Sequence, residues 1–470
     1  GNTVIDAVAG SGKSTTIVNA LNIIPQDRQI LFLAFNKSIV EELKIKIGNK
    51  PNVEVSTLHS LGCRALRNVY KSFIDENKYY GWLNDGMRCG YIAPSIQLSD
   101  EDQMVWKRNV KSMIDLGRVN LCNTEEELEA IALKHEIITL CNETRIAMKG
   151  IEWGKDNKRV IDFTDMIYLP VVLDVRMSQY DWVFIDECQD LNAAQRTLFL
   201  KCRSANGRFV AVGDPRQAIY GFAGADVVSF QQLKEIPNTV CLPLSVCYRC
   251  DRLIINLAKE IVPQIEARDD APDGEILRDV PDTEVHDGDM ILCRVTAPLV
   301  SKCMHYIANG VKAYIKGRDI GKNLVNMILR TKRDDTRGVM AAFSVELAKT
   351  AKKIMAKIHC TEEEAKQHTA YTTLVDKIQC IENIAYGLTD ADAVVNRINT
   401  IFDDDRKNGI CLSTVHKSKG LESDNVFILC EDKFYLKNCM KVQWMAEQEE
   451  NLVYVAYTRA KHKLAFLRKE

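Results

Sequence analysis

The sequence has no unbroken apolar run of about 18 residues, so nothing in it reads as a membrane-spanning helix. It has no excess of either charge: 62 lysines and arginines face 64 acidic residues, a formal net charge of −2. The lack of a global basic field argues against a protein that coats duplex nucleic acid by charge alone. It leaves room for one that grips a single strand through stacking platforms in a narrow groove. Among the eight histidines there is no His-x-x-x-His and no other paired metal-ligand spacing. No Gly-x-Ser-x-Gly elbow is present, which removes the usual hydrolase nucleophile. Repeats with a period of about 20–50 residues and low-complexity linkers are also missing.

Cysteine is not scarce, but its pattern excludes a disulfide framework. The sixteen cysteines are scattered, and several (Cys293, Cys411, Cys430) lie in or beside apolar, strand-like runs. They are expected to be small buried hydrophobes of an intracellular protein in a reducing compartment, the cytoplasm, nucleoid or nucleus. One Cys-x-x-Cys occurs, Cys247 and Cys250. Only Cys241 is near it in sequence and no second pair follows, so a metal site there is the minor reading. What remains is a 470-residue chain, 46% apolar and 27% charged, with the composition of a soluble globular protein of two to four domains. Its first residues, Gly1-Asn2-Thr3-Val4-Ile5, carry neither an initiator Met nor a leader pattern, and the sequence reads as part of a longer chain.

Strand and helix patterns alternate through the first part. Thr3–Ala7, Ile30–Phe35 and Val53–Ser56 read as buried strands, with helices over Ser14–Leu21 and Ser38–Ile47 between them, the pattern of a parallel sheet covered by helices. From about Cys63 to Gly150 charged helical stretches dominate, such as Asp100–Leu116 and Thr124–Lys134. Val183–Ile185 and Phe209–Val212 return to strands. A second α/β set is expected from near Val240, with strands at Met290–Cys293, Ala313–Ile315, Cys411–Thr414 and Val426–Cys430 and a late helix from Leu452. Residues 322–405 read as a second helical excursion. The expected division is a first core of 1–62 and 151–243, an insertion of 63–150, a second core of 244–321 and 406–470, and a short insertion of 322–405.

Two segments carry chemistry. Ala7-Val8-Ala9-Gly10-Ser11-Gly12-Lys13-Ser14 is a phosphate-binding loop between a strand and a helix, with alanine at the first glycine position. Gly10 and Gly12 stand where backbone amides approach phosphates. Lys13 supplies a charge to the β and γ phosphates, and Ser14 a hydroxyl to Mg²⁺. Val183-Phe184-Ile185-Asp186-Glu187 is an apolar strand ending in two carboxylates, at the sheet end where open α/β folds bind ligands. Asp186 is placed to hold magnesium, largely through water, and Glu187 to orient or deprotonate the attacking water.

With these residues in hand, the chain resembles the superfamily 1A helicases of the UvrD/Rep/PcrA type over nearly its whole length. Beyond the loop and Asp186-Glu187-Cys188-Gln189-Asp190, the resemblance runs in order through Phe35-Asn36-Lys37, Thr57-Leu58-His59-Ser60 and Val212–Phe222. It continues in Leu244–Arg249, Ser413–Glu422 and Leu452–Ala460. It implies an α/β fold of two RecA-like P-loop cores, parallel sheets with flanking helices, each carrying a mostly helical insertion. It implies an ATP hydrolase with Mg²⁺ as cofactor, acting in a cleft between the cores and moving 3′ to 5′ on single-stranded DNA and tailed duplex, as in DNA repair or replication. By the same resemblance Lys13, Asp186, Glu187, Gln217, Arg249 and Arg459 serve hydrolysis, with Gln217 sensing the γ-phosphate and the two arginines acting as fingers. Nucleotide contacts are expected from Ala9, Gly10, Ser11, Gly12, Lys13, Ser14 and Thr15, and also from Gln217, Tyr248 (on adenine), Arg249, Glu422 (on ribose) and Arg459. Ser14 and Asp186 would hold the metal. Asn36, Lys37, Thr57, His59, Tyr220, Phe222, Thr414 and His416 would touch DNA. The family often has arginine where Ala223 stands.

Plainer readings stand beside these. Tyr220 and Phe222 fit a core as well as a base platform, and His59 and His416 fit ordinary surface or satisfied core histidines. Trp106, Lys107, Arg108, Lys111 and Arg118 fit a DNA access path or, more simply, a solvated helix face, as do Lys349, Lys352, Lys353 and Lys357. Two rival functions stay open: a translocase that does not unwind by itself, and a subunit that ATP merely locks onto nucleic acid.

Overall fold

The computed structural model describes residues 1–221, 228–406, 408–436, 440 and 443–468. Close contacts divide the chain into two units, Gly1–Ala7 with Gly12–Leu244, and Val8–Ser11 with Ser245–Glu470.

The first unit is built on six strands: β1 (Asn2–Ala7), β2 (Ile30–Leu33), β3 (Val53–Ser56), β4 (Tyr180–Ile185), β5 (Arg203–Gly213) and β6 (Thr239–Leu244). All neighbours run parallel, in the order β3-β2-β4-β5-β1-β6. Parallel pairing forces a crossover between strands, and the intervening helices supply it. Alternation along each strand gives the sheet two buried faces. Ile5, Phe32, Phe184 and Val212 pack on one side with Ile17 and Leu43. Val4, Leu31, Leu33, Val183 and Ile185 pack on the other with Leu58, Leu61 and Leu66.

One expectation needs correcting. The strand at Val240 does not open the second α/β set; β6 pairs with β1 in register, from Asn2 with Thr239 to Ala7 with Leu244. Apolar alternation identifies a strand but not its sheet, and β1 has two edges to fill. The expected boundaries at Cys63, Gly150 and Lys322 fall inside the helices Leu58–Tyr70, Glu143–Asp156 and Arg318–Thr331.

The helical excursion of the first unit is organised around a buried charge cluster. Arg118, fully buried, donates to Asp162 at 2.7 and 2.8 Å, to Asp165 at 2.6 Å and to Asp115 at 2.6 Å. Lys78 Nζ reaches Asp165 at 2.6 Å and the Tyr79 hydroxyl donates to it at 3.0 Å. Although burial works against it, the Arg118 guanidinium keeps Asp162 below the usual carboxylate range. The solvated-face reading therefore fails for two of its members: Arg118 is interior, and Trp106 is fully buried with its indole N–H on Asn142 Oδ1 at 3.1 Å. Removing one partner of such a cluster leaves uncompensated buried charge. Arg118→Ala is expected to lower stability by about 3–5 kcal/mol, seen as an earlier first transition in urea unfolding; an unchanged midpoint would show that the cluster contributes nothing net.

The second unit repeats the scheme with β7 (Glu275–Val280), β8 (Met290–Cys293), β9 (Ala313–Ile315), β10 (Ile410–Thr414), β11 (Ser423–Ile428) and β12 (Ala460–Leu467). They are again all parallel, in the order β7-β12-β11-β8-β10-β9. The late helix spans Gln443–Tyr457 and turns directly into β12. Neither β7 nor β12 is evident in the sequence, because Lys461-His462-Lys463 gives β12 a polar start. Among the described residues, five helices from Arg318 to Ile401 lie between β9 and β10. Among the described residues no helix is long and apolar enough to cross a membrane, and the fifteen described cysteines are all free thiols.

Candidate functional site

β1 runs into the phosphate loop, and the loop ends where the helix Lys13–Ala20 begins. Gly12 caps that helix in the left-handed region, φ 79°, a conformation glycine adopts without strain. Lys13, Ser14 and Thr15 form the first turn, where unpaired amides and the helix dipole favour an anion. Val8–Ser11 clusters with the second unit's residues. The Ala9 N–H donates to the Tyr454 hydroxyl at 2.8 Å, the Tyr248 N–H to the Gly10 carbonyl at 2.9 Å, and the Ser11 hydroxyl to the Val8 carbonyl at 2.8 Å. Gly10 has φ 65°, and a Cβ there would lie 2.6 Å from Arg249 Cβ and 2.8 Å from Cys247 Sγ, so both backbone and space demand glycine.

Across the sheet end, β4 delivers the carboxylate pair. The Ser14 hydroxyl donates to Asp186 Oδ2 at 3.0 Å, and Lys13 Nζ lies 3.9 Å from Glu187 Oε1. Glu187 itself is left-handed, φ 52°, a position where a non-glycine side chain is strained and which turns it away from the line of β4. Burial, and then the adjacent Glu187 charge, push the Asp186 carboxyl up to about 6, against the pull of Lys13 and the Ser14 hydroxyl. A buried carboxylate short of positive charge, with a hydroxyl in contact, is a donor set that suits a hard cation. Mg²⁺ takes one or two protein oxygens and otherwise water and phosphate oxygens.

Sequence reasoning gave no role to Gln189 and Asp214, which the structure puts at the centre. The buried Gln189 amide donates to Glu187 Oε2, while its Oε1 accepts the Asp214 N–H at 3.0 Å. Asp214 Oδ2 accepts from Gln217 Nε2 at 2.7 Å, and burial raises the Asp214 pKa. A Cβ on Gly213 would come within 2.5 Å of Gln189 Oε1. The acidic segment and the Gln217 segment are thus one hydrogen-bonded block. Tyr454 was missed for a different reason: its partner Ala9 lies 445 positions away.

In the second unit the Arg249 guanidinium donates to Glu422 at 2.7 Å and to the Thr458 carbonyl at 3.3 Å. Arg459 is 1% exposed, its Nε on the Val455 carbonyl and its Nη1 on the Leu421 carbonyl, both at 3.0 Å. Tyr248 is 60% exposed. Cys247 and Cys250 are buried, the Cys250 N–H reaching Cys247 Sγ at 3.5 Å.

Three of the expected strand contacts share one local design. Asn36 and Thr57 follow a parallel strand at its carboxyl end and Thr414 is the last residue of one, and each caps the next helix, accepting from Ile39 N at 2.9 Å, Ser60 N at 3.1 Å and Lys417 N at 3.4 Å. Lys37 is exposed at the start of its helix; His59 and Tyr220 are partly buried, and burial lowers the His59 pKa. Burial, helped by Arg294 and Lys417, lowers His416 to about 3, so it is neutral at ordinary pH. Phe222 and Ala223 lie outside the described residues.

Comparison with known proteins follows the same lines. Residues 1–237 match the UvrD/REP helicase N-terminal domain and residues 319–469 the UvrD-like helicase C-terminal domain. The chain is 25% identical over 288 residues to the ATP-dependent DNA helicase PcrA of Staphylococcus aureus, covering 56% of this chain and 38% of that protein. It is 26% identical over 288 residues to the ATP-dependent DNA helicase Rep of Buchnera aphidicola, covering 56% of this chain and 41% of that one. The match therefore spans well under half the length of either relative. A crystal structure of the arterivirus nonstructural protein 10 helicase aligns with 99% of this chain and 59% of its own, with a TM-score of 0.37 and 10% identity. By its N-terminal and C-terminal domain matches, the chain belongs to the UvrD/Rep helicase family.

Proposed function

We propose that this chain is an ATP-driven motor that moves 3′ to 5′ along single-stranded DNA and unwinds tailed duplex. The observation that carries the reading is the Ser14–Asp186 contact beside the Lys13–Glu187 pair, at a helix N-terminus built to receive phosphate. Family membership, and relatives named as ATP-dependent DNA helicases, support it. The four-part division of two cores and two helical insertions belongs to the same proposal.

In this reading Gly10, Gly12 and the first-turn amides cradle phosphate while Lys13 neutralises it. Ser14 and Asp186 would hold Mg²⁺, which would supply charge neutralisation for phosphoryl transfer. Glu187, fixed by Gln189, orients the attacking water, and Gln217, fixed by Asp214, sits where it can report the γ-phosphate's presence. Arg249 and Arg459 stabilise transition-state charge, a role worth about 10³–10⁵ in rate in GTPases. Tyr248 stacks on adenine and Glu422 binds ribose. Asn36, Lys37, Thr57, His59, Tyr220, Phe222, Thr414 and His416 contact the strand, where stacking is worth about 1–3 kcal/mol per base without regard to sequence.

The test is ATP turnover with and without oligothymidylate, followed by unwinding of 3′- and 5′-tailed duplexes. Strong stimulation and unwinding from the 3′ tail alone are expected. Tight ATP-dependent binding without turnover would replace the motor with a clamp, and stimulation without unwinding would reduce it to a translocase.

A further inference from the structure

The carboxyl end of β10 opens into a cavity of about 460 Å³, the size of a small-molecule site. Thr414, His416 and Lys417 are among its lining residues. The stretch between β9 and β10 adds further lining residues: Lys366, and then Thr369, Thr372 and Thr373 of the helix Thr369–Ala385. The three threonines stand at positions i, i+3 and i+4, so their hydroxyls share one helix face. Thr372 and Thr373 are exposed and Thr369 is partly so.

The charges facing this space sort clearly. Arg294 is fixed by a two-pronged bond to the buried Glu449, with contacts of 2.6 and 3.1 Å. Asp376 is the acidic lining residue, and its two oxygens accept the Thr296 and Ala297 N–H groups at 3.1 and 2.9 Å, the first amides of a helix. Lys366 pairs with Glu362 at 2.6 Å and Lys417 with Asp319 at 2.8 Å, all four side chains at least 42% exposed. Exposed pairs of this kind are worth about 0–1 kcal/mol, so a phosphate can recruit both ammonium groups. His416 adds a neutral donor and acceptor, and Val295, Ile320 and Leu436 add apolar surface for sugar or base.

We propose that the second insertion forms one wall of a single-strand groove, with Lys366, Thr369, Thr372 and Thr373 contacting the DNA backbone opposite Thr414 and His416. Hydroxyls and lysines on phosphate give grip without a base code, which a motor indifferent to sequence requires. The insertion then holds the strand rather than the duplex. This inference rests on the reading of Thr414 and His416 as strand contacts.

The experiment uses the full chain with Thr372→Glu, Lys366→Ala and His416→Ala. Fluorescence anisotropy with an oligothymidylate of about 16 nucleotides is followed over a salt series, beside ATP turnover without DNA and thermal melting. Thr372→Glu is expected to weaken binding about tenfold or more by placing a like charge against phosphate. Lys366→Ala should weaken it modestly and reduce the salt slope by about one. Both residues are exposed, so DNA-free turnover and melting should hold. If His416→Ala weakens binding and the wall variants do not, the wall is refuted while the strand reading of β10 stands. If no variant changes binding, or the parent chain does not bind, both fall. Loss of ATP affinity instead of oligonucleotide affinity in Thr372→Glu would make the groove a nucleotide site and overturn the proposal.

Discussion

Lys13→Ala should abolish ATP turnover, a fall of about 10³-fold or more on the scale set by removal of a single transition-state charge. Two effects add. The first is the lost ammonium at the β and γ phosphates. The second acts within the protein, because Lys13 is the cation that offsets the Asp186 and Asp214 carboxyls and stands 3.9 Å from Glu187. Without it the Asp186 and Asp214 carboxyls hold their protons more tightly, which weakens Asp186 in its proposed role as metal ligand. Lys13→Arg is not expected to rescue turnover, since a planar fork cannot replace a compact point charge in a side-chain slot only 12% exposed. Melting should fall modestly, because the buried Asp186 and Asp214 carboxyls lose the cation that offsets them, so turnover is read per folded molecule. Turnover within tenfold of the parent would mean that the nucleotide site lies elsewhere.

How much of this was legible beforehand depends on the range over which the information acts. The phosphate loop and the acidic strand end are local, and a few adjacent residues specify each; the caps at Asn36, Thr57 and Thr414 are just as local but emerged only from the structure. The two parallel sheets follow from strand–helix alternation, which is also local. What could not be read is pairing. The strand Thr239–Leu244 looks like a strand in any sheet, and only β1's open edge decides which one it joins. Lys461-His462-Lys463 conceals β12, whose strand character comes from neighbours on both sides. Trp106 and Arg118 read as a helix surface because their partners, Asn142, Asp162 and Asp165, lie 36 to 47 positions away. Gln189 was visible as part of a motif, yet its bridge from Glu187 to Asp214 exists only once β4 and β5 are side by side.

Arg459→Ala should leave nucleotide binding nearly intact while hydrolysis falls by about 10³-fold. The contrast with Arg118 sets the expectation. Both arginines are buried, but Arg118 lies among three carboxylates, whereas Arg459 is gripped by the carbonyls of Val455 and Leu421. The two carbonyls hold the Arg459 guanidinium in one orientation, as a group that acts on charge developing in a transition state must be held. Its place at the turn between the helix Gln443–Tyr457 and β12 fixes it further, because the adjacent strand is central in hydrogen bonding to both β7 and β11. If Arg459 is instead a structural strut, its removal will act as that of Arg118 does: melting drops, and binding and turnover per folded molecule change together or not at all. The two variants measured side by side, with nucleotide affinity, turnover and melting for each, separate a charge that holds the fold from one that the reaction uses.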